Sequence, residues 1–284
     1  MAPLRQDLNQ LARRLLVAGP ARTLAAAPKR VRIVLGGRTV ADTTEAVYVW
    51  EHAYYPSYYV PLSSFAEGAL SFADSATATA PAASAGGDRA ETGYALARLS
   101  AGDASTDRVI VFPPRRDDGK GEEQGTAVLA GLVRVEFGAA DAWFEEDARV
   151  DFHPKDPFKR VDVVLSTRPV RVLVGGVEVA SARACYHLYE TGLPVRFYLP
   201  LTAVRGGVLR ESGTVTGCPY KGEANYYDVV VPRDGGGGEE KRLKDVVWYY
   251  TNPKMECAAI AGCVCFYNEK VDIELDGKML DRKG

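Results

Sequence analysis

The sequence predicts a mainly β fold: two tandem, small antiparallel β modules preceded by one N-terminal amphipathic helix. Three observations predict it. The chain repeats itself without a gap over 32 residue pairs, and a Gly-Gly dipeptide stands at the same place in both copies. The runs between turn signals are rich in β-branched and aromatic residues and carry no long helical period. A length of 284 residues suits two ordinary domains, and a hydrophobic share of 46% is enough to build a core in each. The net charge of −2 gives no broad attraction for phosphate backbones, so nucleic acid is excluded as a general partner. No apolar run is long enough to span a bilayer, so no membrane partner is expected.

In chain order, residues 1–29 come first. Leu4, Leu8, Leu11, Leu15 and Leu16 recur at helical spacing, and Gly19-Pro20 stops the run. A docked amphipathic helix is the expectation. Arg5, Arg13, Arg14 and Arg22, opposed only by Asp7, keep a targeting peptide as the alternative. The first module is expected over 30–155. Val31–Leu35 is a short apolar run, Gly36-Gly37 a hairpin turn needing positive φ, and Thr39-Val40-Ala41 the return strand. Val47–Trp50 is a further strand, and Pro61 ends an extended run. About 71–106, mostly Ala, Ser, Thr, Gly and Asp, reads as a low-complexity insert that cannot bury enough to order itself. Its deletion is expected to leave a folded protein. Arg115–Gln124 reads as a charged loop.

The second module is expected over 156–284. Val170–Leu201 lies over Val31–Leu62 at an offset of 139, with ten of 32 pairs identical, including Glu51 on Glu190 and Tyr59 on Tyr198. Further on the offset is 131, placing Ala130-Gly131 on Ala261-Gly262 and Asp141 on Asp272. Between these blocks the second copy alone carries Cys218-Pro-Tyr-Lys-Gly-Glu-Ala-Asn-Tyr226, with a glycine loop at Gly235–Gly238 afterwards. The five cysteines, Cys185, Cys218, Cys257, Cys263 and Cys265, all fall in this half. An odd count without a secretory signal points to reduced thiols and a cytoplasmic setting.

The string Cys218–Tyr226, with Trp248-Tyr-Tyr-Thr-Asn-Pro253, Ile260–Tyr267 and the upstream Tyr189–Pro200, resembles the DUF427 family. The resemblance covers Val170 to about Asp276 well, and Val31–Leu62 with Ala127–Phe144 more loosely. It implies a compact, tent-shaped, Mss4-like β fold and a family without an established role. A nucleotidyltransferase label attached to the family has no support here, because no Gly-rich phosphate loop precedes paired metal-binding carboxylates. Ala203 stands where the family usually has an acidic residue, Tyr227 where Trp is common, and the first copy lacks the Cys-Pro-Tyr-Lys-Gly turn outright.

Chemistry therefore concentrates in the second copy. Pro219 and Gly222 make a sharp turn that presents Tyr220 and Lys221 from a β frame. Lys221, Cys218 and Glu223 are the candidate catalytic groups: a desolvated lysine acts as nucleophile or base, and a thiol is activated if Lys221 or His187 lowers its pKa. The alternative is a lysine whose stem packs on aromatics while its ammonium pairs with Glu190 or Glu223. Glu190, Tyr198, Tyr220, Tyr226, Trp248 and Tyr250 are the candidate ligand-binding residues, with Trp248 and Tyr250 on one strand face. Glu190, matched by Glu51, also reads as a frame residue, as do Asp141 and Asp272. The Mss4 resemblance raises zinc, but Cys263-x-Cys265 inside an apolar run reads as buried structure, and no metal site is expected. No cofactor is named by any motif. Two functions stay open: a small molecule bound in the second module, with or without a reaction, or a scaffold in which duplication makes a covalent pseudo-dimer. Lys221→Ala is expected to shift the melting temperature by a degree or two only.

Overall fold

The computed structural model describes residues 6–26, 28–72, 93–114, 128–232 and 240–282. Leu4 and the loops expected at 115–124 and 235–238 fall outside them. The chain divides into two compact units, Met1–Asp156 and Pro157–Gly284. It is mainly β with antiparallel sheets and one N-terminal helix. No helix among the described residues is long and apolar enough to cross a membrane.

The first unit opens with helix α1 (Leu8–Ala18). The Asp7 carboxylate caps it, accepting from the backbone N–H of Asn9 at 2.9 Å and Gln10 at 3.2 Å, and Gly19 ends it at φ 71°. Among the described residues eleven strands follow: β1 (Arg22–Ala25), β2 (Val31–Leu35), β3 (Arg38–Thr43), β4 (Val47–Trp50), β5 (Ser57–Pro61), β6 (Leu70–Phe72), β7 (Ala95–Ala101), β8 (Ala104–Val111), β9 (Leu132–Val135), β10 (Ala142–Glu145) and β11 (Ala148–Val150). They form a seven-stranded sheet, β1-β4-β5-β9-β8-β7-β6, and a four-stranded sheet, β11-β10-β2-β3. Val31, Ile33 and Leu35 of β2 face Tyr58, Val60, Val109 and Val133 of the larger sheet and close the core between the two.

The second unit repeats this plan. Its strands are β12 (Val161–Ser166), β13 (Val170–Val174), β14 (Val177–Ala182), β15 (Cys185–Glu190), β16 (Arg196–Pro200), β17 (Leu209–Cys218), β18 (Gly222–Pro232), β19 (Glu240–Tyr249), β20 (Cys263–Phe266), β21 (Asp272–Leu275) and β22 (Lys278–Met279). The sheets run β12-β15-β16-β20-β19-β18-β17 and β14-β13-β21-β22. Strand pairing fixes both repeat offsets: Tyr59 opposes Arg134 on β9, as Tyr198 opposes Cys265 on β20. Both Gly-Gly turns take positive φ, 57° and 69° at Gly36-Gly37 and 59° and 81° at Gly175-Gly176. The β2–β3 and β13–β14 hairpins even share their irregularity, between Ile33 and Val34 and between Val172 and Leu173.

The insert expected over 71–106 is corrected in part. Residues 73–92 lie outside the described set, but β7 and the start of β8 are paired strands, with Ala95 and Leu99 fully buried. Composition misled because small residues are what this place requires. A Cβ on Gly36 would come within 2.6 Å of the Ala101 carbonyl oxygen and 2.9 Å of the Ala104 Cβ, so the neighbouring turns touch backbone to backbone. Deleting 71–106 removes β7 from the sheet and is now expected to unfold the first module.

His187 on β15 lies on the inner face of its sheet with Cys185, and its Nε2 has no hydrogen-bond partner among the described residues. In the first unit the corresponding place is polar and satisfied: the Tyr58 hydroxyl donates to Glu145 at 2.7 Å and accepts from the Tyr48 hydroxyl at 2.9 Å. In the second unit His187 stands at the place of Tyr48 and Phe197 at the place of Tyr58, and the Phe197 ring packs edge-on to the imidazole at 4.9 Å. Burial, helped by the Arg168 charge and opposed by Asp276, holds the His187 pKa below 6.5. Below pH 6.5 the unfolded chain takes up a proton that the folded one resists, so stability is complete above that value and falls as pH drops beneath it. Urea midpoints at pH 7.5 and 5.5 are expected to differ less in His187→Leu than in the natural chain. An equal difference in both would remove His187 as the cause.

Candidate functional site

The outer face of each large sheet carries a row of side chains running across the strands, and the two rows differ. In the second unit the register sets Tyr186, Tyr198, Cys265, Trp248 and Tyr226 side by side. In the first unit the matching positions are Val47, Tyr59, Arg134, Ile110 and Leu96. The second row walls a cavity of about 170 Å³, with Trp248, Tyr226, Tyr250 and Tyr267 as its aromatic sides and Lys221 with Glu190 at its polar end. Leu193, Pro194 and Arg196 complete the lining.

Lys221 stands in the turn between β17 and β18, and that turn is pinned. Gly222 sits at φ 104°, where a Cβ would meet the Asn252 carbonyl oxygen at 3.2 Å, and the Lys254 N–H donates to the Lys221 carbonyl at 3.0 Å. The Lys221 ammonium donates to Glu190 at 2.6 Å, and Lys159 reaches the other carboxylate oxygen at 3.5 Å. Both partners of the shorter pair are largely buried, 13% and 8% exposed at the side chain. Burial disfavours the ammonium, but Cys218 and Glu190 outweigh it and raise the Lys221 pKa above 10.5. Lys221 is therefore a held cation at neutral pH. This is the arrangement of the alternative reading, in which the ammonium of Lys221 pairs with Glu190.

Trp248 Nε1 donates to the Tyr198 hydroxyl at 3.0 Å, and Tyr226 is hydrogen-bonded to Thr216 at 2.8 Å. Burial pushes the hydroxyls of Tyr198, Tyr250 and Tyr267 upward, so all three remain neutral donors. Arg196 lies over the Trp248 ring at 5.5 Å and is bound by Glu269 through two contacts, 2.9 and 2.7 Å.

Six expected residues meet here: Lys221, Glu190, Tyr198, Tyr226, Trp248 and Tyr250. Three do not line the cavity. Glu223 is exposed and, one residue from Ala224 and three from Tyr226 on β18, projects from the other side of the strand. Tyr220 is buried in the turn, and Cys218 is half-buried at the end of β17 opposite Gly222. His187 faces away from this surface, so it cannot activate Cys218. Cys257 is buried beside Lys221, and burial pushes its thiol up to about 11. Arg196 was missed although its i, i+2 spacing to Tyr198 puts both on one face. Lys159, 31 residues before Glu190, left no signal in the sequence.

The first unit has closed the same place. Arg134, 5% exposed, donates to Glu51 at 2.9 and 3.3 Å, and Tyr59 adds a hydrogen bond to that carboxylate at 3.2 Å. Leu8, Leu11, Ala12, Leu15 and Leu16 of α1 pack with Val49, Tyr59, Ile110 and Phe112 over it. Tyr94 donates to Asn9 at 2.8 Å, and Arg14 to the Glu51 carbonyl at 3.0 Å. The amphipathic helix is thus docked on the position that the cavity occupies in the other copy.

Fold and site together define a duplicated antiparallel β-module protein, with one copy of the outer-face site open and the other filled. The family model described as Domain of unknown function (DUF427) matches residues 23–82 and 162–277. The match spans more than half of the chain, and the chain belongs to that family. A comparison with curated proteins gives no match.

Proposed function

We propose that the second module binds a small planar or anionic molecule in the cavity between Lys221 and Trp248, and that the first module is a structural copy. The observation that carries this reading is the contrast between equivalent places. One is sealed by a helix and a buried Arg134–Glu51 pair. The other keeps a void lined by aromatic faces and a lysine. Lys221 serves as a binding cation, and Glu190 holds it in place. A scaffold role fits the first module taken alone, since its outer face is filled by its own helix.

Leu193, 52% exposed at the rim, gives a clean test, because a change there costs little stability. Native mass spectrometry of the full chain after exposure to a host-cell metabolite extract is expected to show a small-molecule adduct. Leu193→Trp, which narrows the mouth, is expected to lose it. An identical adduct in both proteins, or none in the natural chain, would count against the cavity as a binding site.

A further inference from the structure

We infer that the occupant of the second-module cavity is a monoanion built on one planar ring, its acid group bound by Lys221 and its ring held against Trp248. This deepens the reading above and rests on it. Size comes first. The void is about 170 Å³. Apolar cavities of about 150 Å³ take up a single benzene ring. A nucleotide or a two-ring compound would not be enclosed.

Charge comes second. Glu190 is shared by two lysines, Lys221 at 2.6 Å and Lys159 at 3.5 Å, whereas Arg196 is matched by Glu269 at 2.7 Å. Those five groups leave one positive charge uncompensated. In the first module the same glutamate, Glu51, meets Arg134 at 2.9 Å in a place packed by the leucines of α1. Surplus charge therefore accompanies the open cavity.

Hydrogen-bonding capacity comes third. Of the three N–H donors of Lys221, Glu190 takes one, and no other acceptor engages it among the described residues. The Tyr250 hydroxyl makes no hydrogen bond among the described residues, and Tyr198, which accepts from Trp248, keeps its own proton to donate. The cavity is rich in unused donors, which is what a carboxylate needs and what an amine or a second cation would leave unsatisfied.

Calorimetric titration of the full chain at pH 7.5 with benzoate, benzamide and phthalate tests this. Benzoate is expected to bind, with benzamide about tenfold weaker and phthalate no tighter than benzoate. Lys159→Gln is expected to weaken benzoate by about fivefold and leave benzamide unchanged. Benzamide binding as tightly as benzoate, or phthalate binding more tightly, overturns the monoanion while leaving the cavity as a ligand site. No binding by any of the three, or benzoate binding undiminished in Leu193→Trp, overturns the site itself.

Discussion

Replacing Arg134 with methionine is expected to lower the stability of the first module by about 3–5 kcal/mol, the cost of leaving a buried carboxylate without its cation. Glu51 is only 5% exposed at its side chain and Arg134 only 6%, so water cannot substitute for the lost guanidinium. The remaining partner, the Tyr59 hydroxyl at 3.2 Å, is neutral. Arg134→Met combined with Glu51→Leu removes both charges and is expected to recover most of the loss, because an apolar replacement of a whole buried pair is close to neutral. Urea unfolding of the single and double variants measures both effects. A single variant within about 1 kcal/mol of the natural chain, inside the range of ordinary surface changes, would mean that Glu51 is not held by Arg134.

Lys221→Met is expected to cost the second module about 2–3 kcal/mol, less than the first case because Lys159 stays within 3.5 Å of Glu190. This replaces the expectation, formed from a turn lysine in the sequence, that truncation there shifts the melting temperature by only a degree or two. The side chain is 13% exposed and paired at 2.6 Å, so it supports the frame and lines the cavity together. Lys221→Arg keeps the charge and is expected to retain most of the stability while reshaping the cavity. Thermal melts of both variants decide this. Equal melting temperatures for Lys221→Met and the natural chain would place the ammonium in water instead of on Glu190.

The contrast between Arg134 and Lys221 shows how duplication has been used. Both copies retain the glutamate at the end of one strand and the tyrosine on the next, Glu51 with Tyr59 and Glu190 with Tyr198. The cation reaches that glutamate from a central strand in one copy and from a hairpin tip in the other. A guanidinium rooted in the middle of the sheet fills the space above it. A lysine arriving from the tip leaves Cys265, a small residue, in the middle and so leaves room.

Much of this was legible in the chain itself. Repeated residues gave the two modules, period-two alternation gave the faces of Trp248, Tyr250, Cys263 and Cys265, and the Gly-Gly pairs gave the turns, because backbone geometry and side-chain direction are local properties. The leucines of α1 announced a buried stripe for the same reason. Only the tertiary structure decided what each face meets. Arg134 lies 83 residues from Glu51, Lys221 lies 31 from Glu190, and α1 covers strands that begin some way along the chain. The strand Ala95–Ala101 looked too poor in large side chains to order, yet close approach of the Gly36 turn selects small residues there. Local pattern fixes which way a side chain points, but its partner, and hence its charge state and whether a void remains, depends on which distant segment the fold brings opposite.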